Sequence, residues 1–390
     1  MKFAVAAALL VELYLTHLPC ASAQGPLTPP GAPAPTMKTL DQVEPRKPID
    51  ATNTPGNSAN LFRITEPGSY YLTASVVGAA EKNGIAVDAS DVTIDLRGFT
   101  LTGVPGSLDG IIVGLEFSRL TVRNGNIAGW GGDGVDEVEN FSHDGIYENV
   151  RATGNGGDGL RLGDKAIVTA CKLSGNSGIG MSVNGMATVT GCTVENNGVG
   201  GFYIGSGSLL DSVASGNGDA GFQSFGEPVL MKKCVSFENG TGFRISDGGK
   251  VAECIARFNF DGIEAHSYCT ITDCMVKNNA KGIWVRGSCH VVGSLCEGNT
   301  VGVRIDGSKN LIKGNQAING DTGILTQAGS INNLFLGNTA GNNAINNYDI
   351  VADNRYGPVV DITALGTAAV TGNSGGGTTV TGFPGANFAY

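Results

Sequence analysis

Arg244, Glu264, Trp284 and Arg304 follow one another at intervals of twenty residues, and His266, Arg286 and Asp306 repeat that interval two positions further on. Tyr203 and Gln223 continue the first row toward the N-terminus. These residue types suit an acidic sugar chain. Arginine neutralises a uronate carboxylate and so lowers the cost of removing the adjacent C5 proton, which a histidine or tyrosine can take or return. On that reading Glu264, His266 and Arg286 are the candidate catalytic residues of a lyase- or epimerase-like site, and Tyr203, Gln223, Arg244, Trp284, Arg304 and Asp306 are substrate contacts. Hydrolysis fits less well. Glu264 and Asp306, two intervals apart and offset along the strand, place their β-carbons ~11–12 Å apart, beyond the ~5–5.5 Å or ~6.5–9.5 Å of paired glycosidase carboxylates. The competing reading is plain: opposite charges on adjacent strands pair for modest stability, and the chain is a non-catalytic structural or adhesive rod.

Side chains twenty residues apart become neighbours only if the chain returns on itself once per interval, so a repeat must carry them. A glycine followed by an apolar residue recurs twelve times from Gly84 to Gly323, at spacings of 20 to 26 residues. The residue after each anchor, from Ile85 to Ile324, is always apolar, and the alternation beyond it is that of a half-buried strand. A second register runs beside the first. Asn155, Asn176, Asn197, Asn217, Asn239, Asn259, Asn279, Asn299 and Asn319 precede successive anchors. Five residues before each from Asn176 onward stand Cys171, Cys192, Ser212, Cys234, Cys254, Cys274, Ser294 and Gly314. This spacing never varies, so length changes are expected between the Asn and the glycine. The registers predict an all-β fold, a right-handed parallel β-helix of about twelve coils, rising ~4.8 Å per coil to a rod of roughly 58 Å.

The Asn column is read as structural, because stacked amides hydrogen-bond along the rod and Asn tolerates the left-handed backbone of tight corners. Cysteines in equivalent places on successive coils fit a column of small buried thiols. In-register β-carbons at ~4.8 Å lie beyond the ~3.5–4.5 Å that a disulfide prefers. Bridges among Cys269, Cys289 and Cys296 remain the alternative. His143 and His290 fall outside the rows and are read as structural or surface residues.

The remaining segments set the context. Lys2, the apolar run Phe3 to Leu15 and Ala21-Ser22-Ala23 read as a secretory signal over residues 1–23. Residues 24–60 hold eight of the fourteen prolines and read as a linker; 61–82 are expected as cap strands, 83–365 as the β-helix and 366–390 as a Gly/Thr-rich tail. No further stretch is apolar enough for a membrane span, so the protein is expected to be secreted, periplasmic or at the cell surface. A net charge of −10 disfavours nucleic acid as a partner, and the outward row of arginines, histidine and aromatics points to a polysaccharide or cell-surface glycan. Gly131-Gly132-Asp133-Gly134-Val135-Asp136-Glu137-Val138-Glu139 matches a calcium-binding nonapeptide. Such sites need consecutive copies, and here the pattern occurs once, so no cofactor and no metal site is expected.

The coil unit, for example Gly180-Met181-Ser182-Val183-Asn184-Gly185 leading to Asn196-Asn197, resembles the right-handed β-helix repeat family that includes pectate lyases, alginate epimerases and phage tailspikes. The segment Gly25-Pro26-Leu27-Thr28-Pro29-Pro30, followed by Thr36-Met37-Lys38-Thr39-Leu40 and Val43-Glu44-Pro45-Arg46, is similar to secreted bacterial β-helix proteins of no assigned activity. The resemblance covers roughly residues 83–350 and implies the fold. It carries over no catalytic residue. Neither the Asp-Pro-His-Glu run of alginate epimerases nor the Asn-Thr-Asp, Asp-Asp and Gly-His-Gly set of polygalacturonases is present.

Overall fold

The chain folds as a parallel β-solenoid in a computed structural model that describes residues 46–137, 142–361, 370–371 and 385–390. The signal segment, the linker up to Pro45, Val138 and Glu139 of the nonapeptide, and most of the tail lie outside the described residues. Three parallel ladders run the length of the rod. The first carries the anchor glycines and contains fifteen strands, from Asn60–Ile64 to Val370–Thr371. The second runs from Lys47–Pro48 to Arg355–Tyr356, and the third from Val76–Val77 to Val359–Asp361. The count of fifteen turns corrects the expected twelve. Leu61 and Asn347 stand where neighbouring turns have Gly84 and Gly323, so a search for glycine passes over these turns.

The corners explain the fixed spacing. At each, one residue takes the left-handed conformation and the next points inward: Ala170 before Cys171, Gly175 before Asn176, Lys233 before Cys234, Glu238 before Asn239. Between the Cys and Asn corners lies a strand of three residues, such as Lys172–Ser174, Thr193–Glu195 or Ile255–Arg257. One corner residue, three strand residues and one left-handed residue make the constant five. Length changes fall also between the first and second ladders, contrary to the expectation that they lie only before the glycine. Gly200–Leu210 runs through that corner as one strand, whereas four residues separate Ser224 from Val229.

From Asn155 to Asn279, each backbone N–H and side-chain Nδ2 donates to the Oδ1 of the next Asn in the column, at 2.8–3.3 Å. From Asn176 onward each Nδ2 also reaches a carbonyl of the preceding turn, as from Asn176 to Ala152 at 3.2 Å. The amides occupy the space above the anchors. A Cβ on Gly159, Gly180, Gly201, Gly221, Gly242, Gly262 or Gly282 would lie 2.8–3.1 Å from the Nδ2 of the Asn one turn on. The two registers are therefore one steric device. Asn319, expected in the column, is instead the left-handed residue with φ of 59°, and Gly320 takes the ladder place and donates to Asn343 Oδ1 at 3.0 Å. At the other two corners Asn follows Cys289 and Ser294, in the columns Asn310–Asn333–Asn354 and Asn315–Asn338.

Inside the ladders the core is continuous, with Phe202, Phe222 and Phe243 stacked at centroid separations of 4.9 and 4.8 Å. The eight cysteines from Cys171 to Cys296 are buried and unbridged; burial pushes the Cys274 thiol up to about 12. The thiols donate to nearby carbonyls, as Cys269 does to Ser246 O at 3.1 Å.

Asn239→Ala strands the buried donors of Asn217 and the carbonyl of Ala214, and should cost about 2–4 kcal/mol. Asn319→Gly keeps the left-handed corner and should stay within about 0.5 kcal/mol of the parent. Urea unfolding of both variants checks this; similar losses would contradict the ladder assignment.

Candidate functional site

The strands Thr241–Ile245, Asp261–Ser267, Lys281–Gly287 and Val301–Ile305 lie side by side in the first ladder. Phe243, Ile263, Ile283 and Val303 point into the core, so the next residue of each strand projects outward. The register pairs Tyr203 with Gln223, Gln223 with Arg244, Arg244 with Glu264, Glu264 with Trp284 and Trp284 with Arg304. The row expected from spacing alone is thus a row in space.

Glu264 sits at its centre with only 7% of its surface exposed. Arg244 Nε donates to one carboxylate oxygen at 3.1 Å and Arg286 Nη2 to the other at 3.2 Å, while His266 Nε2 lies 3.9 Å from the latter. Arg244 is further held by both oxygens of Asp219, at 2.7 and 3.1 Å, and by Gln223 and Thr241 at 3.0 Å each. Tyr203 joins through Asp219, to which its hydroxyl donates at 3.2 Å. The Arg244 hydrogen bonds hold the Asp219 carboxyl below its usual range, and burial, aided by Asp219, pushes the Tyr203 hydroxyl up to about 12. Tyr203 therefore keeps its proton at neutral pH. In that form it donates to Asp219.

A second cluster adjoins the first. Trp284 Nε1 donates to Asp306 Oδ2 at 2.9 Å, and Arg304 Nε donates to the other oxygen at 2.8 Å. Lys281, Arg286 and Arg304 lie 4.3, 5.0 and 5.6 Å from the Trp284 ring centroid. Lys281 is paired with Asp261 at 3.0 Å. Asp219, Thr241, Asp261 and Lys281 were missed in the sequence because they precede the anchor glycines, outside the outward rows. The signal was present in Asp261 and Lys281, which are themselves twenty residues apart.

The connections after these strands are short, with two residues between Ser267 and Thr270 and two between Gly287 and His290. They leave the face open. Longer connections lie at the early turns, as between Val113 and Thr121, beside Asp136 and Arg161 of the same outward row. There Asp109, Asp133 and Asp158 form a column in which each carboxylate accepts a backbone N–H from the next turn. Asp136 lies 3.8 Å from Arg161, and its buried Oδ1 has no hydrogen-bond partner. Burial pushes Asp133 and Asp136 up to about 6. Glu137, also raised by burial, accepts from Tyr147 OH at 2.7 Å and Gly163 N at 2.6 Å. Asp133 and Glu137 of the nonapeptide are thus occupied by the protein's own donors.

Residues 83–228 match the family model described as a right handed beta helix region, and residues 223–357 match the one described as periplasmic copper-binding protein (NosD). The chain is a right-handed parallel β-helix protein. No curated protein matches the sequence. Among solved structures it is similar to the Dettilon tailspike protein gp208, with 15% identity over 72% of this chain and 58% of that chain and a TM-score of 0.42. It is similar to the Azotobacter vinelandii mannuronan C-5 epimerase AlgE6 A-module at 15% identity, over 83% of this chain and 89% of that one, with a TM-score of 0.40. For pectate lyase Pel9A the figures are 15%, 74%, 68% and 0.28. Among the described residues no helix is long and apolar enough to cross a membrane.

Asp133 and Asp136 keep their protons in the folded chain up to about pH 6 but lose them near 3.8 when unfolded. The folded state binds more protons in that window, so this contribution to stability falls as pH rises from about 4 to 6 and is flat above. Asp136→Asn should be more stable than the parent by about 1 kcal/mol at pH 7, once solvent screening is allowed for, and indistinguishable from it near pH 4. Denaturant melts at the two pH values read the difference; a variant equally or less stable at pH 7 would contradict the assignment.

Proposed function

We propose that this is an exported β-helix protein whose open outward face around Trp284 binds an acidic polysaccharide. The observation that carries the reading is the Trp284 indole with three cationic side chains within 5.6 Å of its ring, beside the half-exposed Arg286 and His266. An indole face offers a flat apolar platform to a sugar ring, and a guanidinium beside it pairs with a uronate carboxylate. Export is supported by the apolar N-terminal run with its Ala-Ser-Ala end and by the match to a family described as periplasmic.

Binding is favoured over lyase- or epimerase-like chemistry. Both oxygens of Glu264 are held by guanidinium groups, and Tyr203 stays protonated, which leaves His266 to carry any proton with Arg286 as the carboxylate clamp. The alternative of a non-catalytic rod draws on the charge balance. Arg244, Lys281, Arg286 and Arg304 are matched by Asp219, Asp261, Glu264 and Asp306, so the face carries little net field of its own.

Affinity electrophoresis through gels containing uronate polysaccharides, with absorbance of unsaturated products read in parallel, tests the reading. Retention by at least one polymer is expected, and Trp284→Ala should weaken it about tenfold, the equivalent of ~1.4 kcal/mol. Any absorbance should disappear in His266→Ala. No retention and no absorbance on any polymer would leave the rod.

A further inference from the structure

The last residues of the chain are not stacked on the end of the rod. Asn387–Ala389 is inserted within the third ladder, parallel to Thr339–Gly341 on one side and to Val359–Asp361 on the other. The reason is legible at the corner that should continue the column Asn315–Asn338. The register pairs Leu334 with Arg355 and Phe335 with Tyr356. Carried forward, it sets Pro358 opposite Gly337 and Val359 opposite Asn338. Gly337 has a φ of 62°, in the left-handed region that Gly314, Gly293 and Asp273 take at this corner in earlier turns. Proline is locked near −65° and lacks the N–H. Valine has no side-chain amide to extend the ladder. The turn that follows Asn338 in sequence cannot complete it.

Asn387 does so instead. Its Oδ1 accepts from Asn338 N and Nδ2 at 2.9 and 3.1 Å, and its Nδ2 donates to Phe335 O and Gly357 O at 3.3 and 3.0 Å. Asn387 is fully buried and Ala389 nearly so. Phe388 N and Tyr390 N donate to Asn338 O and Ala340 O, Gly337 N donates to Gly385 O, and Asn387 N donates to Pro358 O on the far side. A six-residue segment thus fills a slot with two hydrogen-bonding walls, one amide pocket and one small-residue pocket.

We propose that Gly385–Tyr390 is an exchangeable strand, and that the slot between Thr339–Gly341 and Val359–Asp361 is a peptide site which the same segment of a second copy of this chain fills. The slot recognises backbone edges, one Asn and one Ala, all of which a second copy supplies identically. The thirteen residues between Thr371 and Gly385 could span about 45 Å if extended. Cis occupancy is favoured by effective concentration when the protein is dilute, and exchange emerges as copies are concentrated.

The test uses the full chain carrying Phe388→Pro, which removes the N–H that Asn338 O accepts and bars the variant's own segment. A labelled peptide Gly-Ala-Asn-Phe-Ala-Tyr should bind this variant at least tenfold more tightly than the unaltered chain, and the peptide with Ala in place of Asn should lose at least tenfold. No binding to a variant of unchanged circular dichroism would overturn the proposal. Two measurements on the unaltered chain do not depend on the variant folding. The Phe388 and Tyr390 amides should exchange with deuterium as slowly as those of Thr339–Gly341, and rapid exchange would overturn the slot. Concentrated protein should form dimers that excess peptide dissociates; a monomer at every concentration would overturn the exchange.

Discussion

An Asn side chain at one corner of the turns from Asn155 to Asn299, seated above a glycine and bonded to the Asn of the next turn, is the contact on which the rest of this rod depends. Its amide accepts two hydrogen bonds from one neighbour and donates to the other, and it also satisfies a carbonyl that the corner would leave buried and unpaired. The anchor glycine is obligatory for the same reason, since a Cβ there would press on that amide. Once the corner is locked, the strand that follows can start in only one register. Every outward side chain then falls into a row that neither slips nor flips.

That rigidity is what places the site. Arg244, Glu264 and Trp284 are neighbours because three successive turns have the same length, not because a loop gathers them. It also limits what the site can do. Turns this regular supply side chains spaced along an open face, with few connections to enclose a substrate, and the charges respond by pairing with each other. Glu264 is held between two arginines. His266 and Arg286 stay half-exposed beside the cation-flanked Trp284.

The ladders and the outward row were legible in the sequence because period and burial are one-dimensional signals. Two of the three turns beyond the expected twelve were not, since Leu61 and Asn347 fill anchor places without being glycine. Asn319 misled because the left-handed residue and the ladder residue are adjacent, and Asn suits both positions. Asp219 was invisible for a different reason: its tie to Arg244 spans 25 residues and crosses a corner, where spacing no longer reports proximity. The inserted C-terminal strand lies beyond any periodic reading, because Asn387 meets Asn338 across 49 residues. Pro358 was the available clue, as a residue barred from a left-handed corner.

The central claim is that stacked amides hold the turns as an interlocked column and not as separate contacts. A double-mutant cycle on adjacent rungs tests it most directly, with Asn217→Ala and Asn239→Ala measured singly and together. The distant pair Asn176→Ala and Asn299→Ala serves as the reference. Adjacent rungs should couple by about 0.5–3 kcal/mol and distant rungs should be additive within about 0.5 kcal/mol. Additivity at Asn217 and Asn239 would contradict the account.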